Sequence, residues 1–425
     1  MQPKQMSATL IRVLAALVIT LTLAHGVSAA GTFKVLHSFK CGADGCGSYA
    51  GVTLDAAGNV YSAPLGGANN AGIIVKLTQL AGGRWNYQVL HTLTYSEGDV
   101  PFAGVTLDPS GNIYGTARGG GHDSGTVFEL IPGGPTSWSA SVLYNFCSEG
   151  GGYCTDGADP FDGPILDKAG SLYGTTRDGG ANGGGVAFEL APGAAGWTET
   201  VLYSFCPQND CSGGAAPYAG LIFDAAGNLY GANEGGGAPT CPGGCGTIFE
   251  LSPGSGGKWN ETLLHSFNGT DGAGPYAGVV FDASGNLYGA AFHGAGYCNS
   301  LGCGTLFKLT HGADGKWKYR VLHRFPNGND GANPNGPLVL DKAGNLYGTT
   351  QYGGGSGKCP AGCGVVFKLS PGKKGSWTYS VLHRFTGGAD GGEPWIGPTI
   401  DSKGNLYGTT MFGGTGGGVV FELTP

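Results

Sequence analysis

Beyond residue 30 the apolar positions fall into short stretches of strand length, separated by turns rich in Gly, Pro and Asp, and sets of four such stretches recur in one order. In the fifth set they are Tyr276-Ala-Gly-Val-Val-Phe-Asp282, Asn286-Leu-Tyr-Gly-Ala290, Gly304-Thr-Leu-Phe-Lys-Leu309 and Trp317-Lys-Tyr-Arg-Val-Leu-His-Arg-Phe325. Aromatic and β-branched residues in short runs bounded by turn formers predict strands. No stretch with helical period follows residue 30. The first and second stretches are joined by Asp-x-x-Gly-Asn or a close variant, with the aspartates at Asp55, Asp108, Asp167, Asp224, Asp282, Asp341 and Asp401. They lie 53 to 60 residues apart, the period of a repeat architecture. Each is expected to cap a tight hairpin: the carboxylate accepts from N–H groups just ahead, and the Gly takes a positive φ.

Four strands repeated seven times predict an all-β fold, a seven-bladed β-propeller with four antiparallel strands per blade. The last repeat ends at Gly418-Val-Val-Phe-Glu-Leu423 and lacks its fourth strand, while Gly31-Thr-Phe-Lys-Val-Leu-His-Ser-Phe39 carries the fourth-strand pattern ahead of the first complete set. The N-terminal strand is therefore expected to complete the last blade and close the ring, removing two exposed sheet edges. That gives 28 strands, with residues 31–425 as a single domain. In such a meander the regular first-to-second and third-to-fourth turns share one end. The longer, variable second-to-third and fourth-to-first connections share the other, which is expected to be the working face.

Composition adds the compartment. Residues 1–30 have the form of a secretory signal peptide: Lys4 and Arg12 precede an apolar run from Val13 to Ala24, and Ser28, Ala29 and Ala30 offer a cleavage site. The run is short of the roughly 20 residues a membrane span needs, and no C-terminal anchor is expected. Net charge is −7, and loss of Lys4 and Arg12 with the signal would leave −9. An acidic chain without a basic run argues against nucleic acid or anionic membrane as partner. The mature chain is expected to be monomeric, secreted or periplasmic. Its 87 Gly and 23 Pro fall at fixed places in the repeats, which marks turns rather than disorder. Twelve cysteines form close pairs: Cys41/Cys46, Cys147/Cys154, Cys206/Cys211, Cys241/Cys245, Cys298/Cys303 and Cys359/Cys363. In an exported chain these predict six local disulfides that shape loops. All six lie in connections assigned to the variable face.

The repeat runs G-N-L-Y-G-T-T-x-x-G-G, then G-x-V-F-E/K-L, then W and V-L-H-x-F. It resembles the tandem repeat of bacterial exported GloVer-containing proteins, whose members carry varied C-terminal anchors, and the resemblance spans residues 33–425. It implies export and a propeller-like repeat, and brings no catalytic residues with it. The D-x-x-G-N-L-Y turn also resembles one in NHL-type and sugar-lactonase-like propellers, a likeness of a turn rather than of chemistry.

Residue types present in every copy serve the blade, whereas a position that differs between copies is free to serve a ligand. By that rule the seven aspartates are structural, since each turn offers one carboxylate where calcium takes six to eight oxygens. His37, His91, His265, His323 and His383, replaced by Tyr144 and Tyr203 in two copies, are expected at a shared inter-blade hydrogen-bonding site. Trp85, Trp138, Trp197, Trp259, Trp317 and Trp377 are expected to pack outer strands. Just after the second strand, near the channel rim, the copies diverge: Pro64-Leu65, Arg118-Gly119, Arg177-Asp178, Glu234-Gly235, Phe292-His293, Gln351-Tyr352 and Met411-Phe412.

This mixture suits a polar ligand, and it makes Arg118, Arg177, Asp178, Glu234, His293, Gln351 and Tyr352 candidate ligand-binding residues. A second ring, Tyr49, Phe102, Phe161, Tyr218, Tyr276 and Trp395 with Asn335 as its exception, favours packing between blades. Trp395 and the lone Asp162 at the channel mouth are kept as ligand-binding candidates. No catalytic signature, no cofactor and no metal cluster is present in the sequence pattern. The expected function is a secreted binding or interaction module for a glycan or another exported protein. The alternative is a lactonase- or lyase-like enzyme holding one divalent ion with Glu234, Asp178, His293 and Asp162 across the channel.

Overall fold

The computed structural model describes residues 31–134, 137–148, 154–208, 210–294, 303–355 and 358–425. Seven antiparallel sheets follow one another in chain order, each a meander whose second strand pairs with the first and third, and whose third pairs with the fourth. In blade 5, for example, Val280–Phe281, Leu287–Ala291, Thr305–His311 and Trp317–Arg324 lie side by side. No α-helix occurs among the described residues. The inner strands of all seven blades line one narrow central channel of about 270 Å³.

The ring closes as the sequence predicts. Thr32–Ser38 pairs antiparallel with Val419–Thr424, Val35 opposite Phe421 and Lys34 opposite Glu422. Loop contacts reinforce the seam: Phe39 N–H donates to the Gly418 carbonyl at 3.0 Å, and the Thr415 hydroxyl to the Phe39 carbonyl at 2.7 Å.

Two features differ from the expectation. Among the described residues thirty strands form rather than 28, because Ala215–Pro217 and Ala332–Pro334 add short strands to blades 4 and 6. The physical cause is that the second strand runs on past the first and offers free edge groups, which the chain entering the blade takes up. In blades 2, 3, 5 and 7 the same place holds a single bridge, as at Asp99 with Gly119. Secondly, every outer strand carries a bulge just before its shared His or Tyr. In blade 5, Val321 pairs with Phe307 and His323 with Leu306, so Leu322 is the extra residue. A bulge re-aims the side chains that follow it, and here the histidine turns toward the next blade.

Packing between blades rests on phenylalanine. All twelve of the largest fully buried side chains are Phe. The Phe ending one outer strand meets the third-strand Phe of the next blade, as with Phe205 and Phe249 at 4.9 Å and Phe325 and Phe367 at 5.6 Å. Each such ring contributes roughly 1.5–3 kcal/mol by burial. The third-strand Phe folds over the Gly of Leu-Tyr-Gly on its partner strand. A Cβ at Gly348 would come within 2.5 Å of the Phe367 ring, and Gly289 stands in the same relation to Phe307.

The shared histidines join neighbouring blades chiefly by stacking. His265 stacks on Tyr319 of the next outer strand at 3.7 Å and His383 on Phe33 at 3.8 Å. Their hydrogen bonds go to a carboxylate in the connection that follows the strand, Asp271 and Asp390, each at 3.1 Å. Where Tyr replaces His, Tyr203 donates across the interface to Glu261 at 2.8 Å. Tryptophans also bridge blades, Trp317 lying edge-on to Tyr230 and Trp377 to Tyr288.

The turn aspartates are caps. Asp341 Oδ1 accepts from the N–H groups of Ala343 and Asn345, while Oδ2 accepts from the Asn345 amide at 2.6 Å and the Tyr347 hydroxyl at 3.0 Å. With both oxygens engaged by the protein, the turn needs no ion. Five disulfides form among the described residues: Cys41–Cys46, Cys147–Cys154, Cys206–Cys211, Cys241–Cys245 and Cys359–Cys363. Cys298, the expected partner of Cys303, lies outside the described residues, as does the signal peptide.

Candidate functional site

The connections at the cysteine-bearing end place the divergent residues. After each second strand the chain pairs briefly with the segment entering the same blade, as Asp178 does with Ala158 and His293 with Ala273. These pairings fix the rim and aim the residues around the channel mouth. Inside them runs an arc of aromatic rings in contact from blade to blade. Trp395 meets Tyr49 edge-on at 5.0 Å, Tyr49 stacks on Phe102 at 4.4 Å, Phe102 meets Phe161 at 5.1 Å, and Phe161 stacks on Tyr218 at 4.3 Å. Tyr276 ends the arc, edge-on to Tyr218 at 5.1 Å. The rings do pack between blades, as expected, and all except Phe161 remain partly exposed at the mouth.

Charged groups lie over this arc. The Arg118 guanidinium sits 4.9 Å from the Phe161 ring centre and 3.6 Å from Asp159. Arg177 reaches Asp178 at 3.3 Å and Glu234, on the next blade, at 3.6 Å. Burial raises the Asp159 carboxyl, an effect that Arg118 only partly offsets. Burial likewise pushes the Tyr218 hydroxyl up to about 12, with the Glu234 carboxylate adding to it. For Tyr276 the same two causes act in the same direction, so its hydroxyl stays protonated and donates.

Beside the arc opens a cleft of about 880 Å³ over blades 3 to 5, lined among others by Arg177, Glu234, Thr240, Thr270, Tyr276 and His293. One wall is the second-to-third loop of blade 4. The Cys241–Cys245 disulfide and a hydrogen bond from the Thr240 hydroxyl to the Asn268 carbonyl at 3.1 Å hold it. Glycines contribute to the cleft lining, among them Gly243, Gly244, Gly269 and Gly274. At Gly244 the fit is close: a Cβ there would lie 2.1 Å from the Gly236 carbonyl oxygen.

The structure therefore gathers Arg177, Asp178, Glu234 and His293 on one side of the mouth, with Arg118 on the adjoining blade. It separates them from three other candidates. Trp395 belongs to blade 7, across the ring, and Tyr352 to blade 6, beyond the cleft's edge on blade 5. Gln351 is only 3% exposed and donates to the Tyr352 hydroxyl at 2.9 Å, which makes it a support for Tyr352 rather than a ligand-facing group.

Asp162 stands inside the channel wall rather than at its mouth. Its carboxylate accepts from the N–H groups of Gly163 and Gly220, at 2.7 and 2.5 Å. Its side chain is partly exposed to the lumen but largely surrounded by protein, and this burial raises its pKa against the pull of the two N–H groups. Among the described residues no three His, Cys, Asp or Glu side chains converge as a metal site. Sequence reasoning missed Thr240, Thr270 and the cleft itself. The visible sign was the long Gly-Ala-Pro-Thr-Cys-Pro-Gly-Gly-Cys insertion at residues 237–245, which exceeds its counterparts in blades 1 to 3.

Fold and rim together define a class: a disulfide-bearing seven-bladed β-propeller with a polar cleft beside an aromatic-lined channel mouth. The chain belongs to the Gloeobacter/Verrucomicrobia repeat family, whose profile matches residues 20–241, 153–356 and 240–425. Among curated proteins none matches it in sequence. Similar solved structures include an ulvan lyase of polysaccharide lyase family PL25, at 11% identity over 91% of this chain and 94% of that one, with a TM-score of 0.54. Another is a luciferin-regenerating enzyme, at 11% identity over 93% and 95%, with a TM-score of 0.43. At 11% identity the likeness to the lyase is one of fold. The disulfides suit an extracellular or periplasmic setting, and no described helix is long and apolar enough to cross a membrane.

Proposed function

We propose that this chain is an exported binding module: residues 1–30 direct export, and residues 31–425 act as one unit that takes its ligand on the cysteine-bearing face. The observation that carries this reading is that residues differing from repeat to repeat, Arg177, Glu234 and His293, line one cleft. The residues common to all repeats, such as the turn aspartates, are consumed by the fold. A glycan or another exported protein is the expected partner. Nucleic acid and anionic membrane are disfavoured by the chain's net charge of −7. The metal-dependent enzyme reading finds less support. Two of its four ligands, Asp178 and Glu234, are ion-paired with Arg177, and a third, Asp162, sits within the channel wall.

The test compares faces. On a glycan microarray, Arg177→Ala should remove the signal, whereas Lys342→Ala, in an exposed turn at the opposite end, should leave it intact. Loss with Lys342→Ala and retention with Arg177→Ala would overturn the assignment. Elemental analysis of the purified protein addresses the alternative, since a stoichiometric, tightly held ion would restore it.

A further inference from the structure

Resting on that reading, we infer that the cleft over blades 3 to 5 takes an uncharged, hydroxyl-rich sugar unit of a glycan rather than a uronate, a sulfated sugar or a cation.

The first ground is charge. Arg177 is the cleft's guanidinium, and it is already held by Asp178 at 3.3 Å and Glu234 at 3.6 Å. A ligand carboxylate or sulfate would have to compete with both carboxylates for this one cation, whereas a hydroxyl needs only a hydrogen bond, and the Arg177 Nε–H and Glu234 Oε2 have no hydrogen-bond partner of their own. The same pairs screen the carboxylates from a cationic ligand. An approaching anion would meet a local excess of negative charge, on a chain whose net charge is −7. A ligand bearing only hydroxyl groups pays neither penalty, and can both donate to the carboxylates and accept from the guanidinium.

The second ground is the lining. The remaining polar side chains, Thr240, Thr270, Tyr276 and His293, are short or planar hydrogen-bonding groups. The raised pKa of the Tyr276 hydroxyl leaves it a donor. Sugar hydroxyls, which donate and accept at once, match such a mixture.

The third ground is shape. Each ring neighbour of Tyr276, namely Tyr218, Phe292 and His293, meets it in an edge arrangement, so none is stacked flat on it. A partly exposed ring of this kind at a cleft wall can carry the apolar face of a pyranose. A volume of about 880 Å³ lies within the usual range of small-ligand sites and accommodates more than one sugar ring.

The experiment is a microarray of neutral, uronate-containing and sulfated oligosaccharides, probed with the mature protein at low and high salt and followed by calorimetry on the hits. The expected result is a neutral saccharide whose affinity changes by less than about threefold with salt. Tyr276→Ala and the near-isosteric Glu234→Gln should each weaken it by about tenfold or more, and Tyr276→Phe should lose less than Tyr276→Ala. Thermal melts of each variant separate lost binding from lost folding, and Glu234→Gln leaves the packing volume unchanged.

Hits confined to uronate or sulfated glycans, weakening with salt and abolished by Arg177→Ala, would overturn the uncharged-ligand inference while leaving the binding face in place. Glycan hits indifferent to Arg177→Ala, Glu234→Gln and Tyr276→Ala would overturn both. An array with no glycan hit would overturn the inference drawn here.

Discussion

Gly348 is glycine because the Phe367 ring occupies the place of its side chain. The repeats contain their own control: blade 1 has Ser62 at the Gly position and Val75 at the Phe position, and these two are cross-strand partners. Gly348→Ala should therefore cost about 1–3 kcal/mol in chemical denaturation, and combining it with Phe367→Val should cost less than the two single changes added together. Both letters of the pair were legible as repeated residues, but their partnership required the register. His323 shows a second kind of residue effect. Burial lowers its pKa from 6.5 to about 4, with Asp330 only partly opposing, and its Nε2 has no hydrogen-bond partner. The unfolded chain thus takes up a proton before the folded one does. The contribution is intact above pH 6.5 and is lost as pH falls toward 4. His323→Tyr, the residue found at this place as Tyr144 and Tyr203, should flatten the stability profile in that window, read as melting temperature against pH.

At the scale of elements, the hairpin turns were the most legible part of the chain, because Asp and Gly at fixed offsets have local reasons to be there. Burial alone would raise the Asp341 carboxyl, yet Asn345, Tyr347 and the Ala343 N–H outweigh it and hold it below the usual range. The stability it supplies is present above about pH 3.8 and is lost as pH falls through its folded pKa. Asp341→Ala should cost roughly 1–3 kcal/mol, with a smaller loss below pH 3.8 than at neutrality. The bulge in every outer strand was not legible. Val-Leu-His looks like ordinary alternation, and only the pairing of His323 with Leu306 reveals that Leu322 is extra. The short strand Ala332–Pro334 escaped notice for a related reason: a proline and three residues carry little pattern of their own.

For the whole molecule, the sequence carried the architecture further than it carried the site. Period, strand count per blade and the displaced outer strand all rest on patterns repeated within the chain, so each copy supports the others. The cleft rests on what differs between copies. Arg177 and Glu234 are 57 residues apart and meet only because consecutive blades curve around one axis. Which divergent positions converge, and which, like Trp395, lie across the ring, depends on that curvature and not on local pattern.

The same closure brings Trp395 of blade 7 against Tyr49 of blade 1, so the aromatic arc spans the seam. The most direct test is peptide-resolved amide hydrogen exchange on the mature protein, comparing Thr32–Ser38 with the outer strand Trp317–Arg324. Closure predicts that the two segments exchange comparably slowly, with Val419–Thr424 protected alongside. Exchange of Thr32–Ser38 at the rate of unpaired chain would contradict the closed ring and the arrangement of loops and cleft that follows from it.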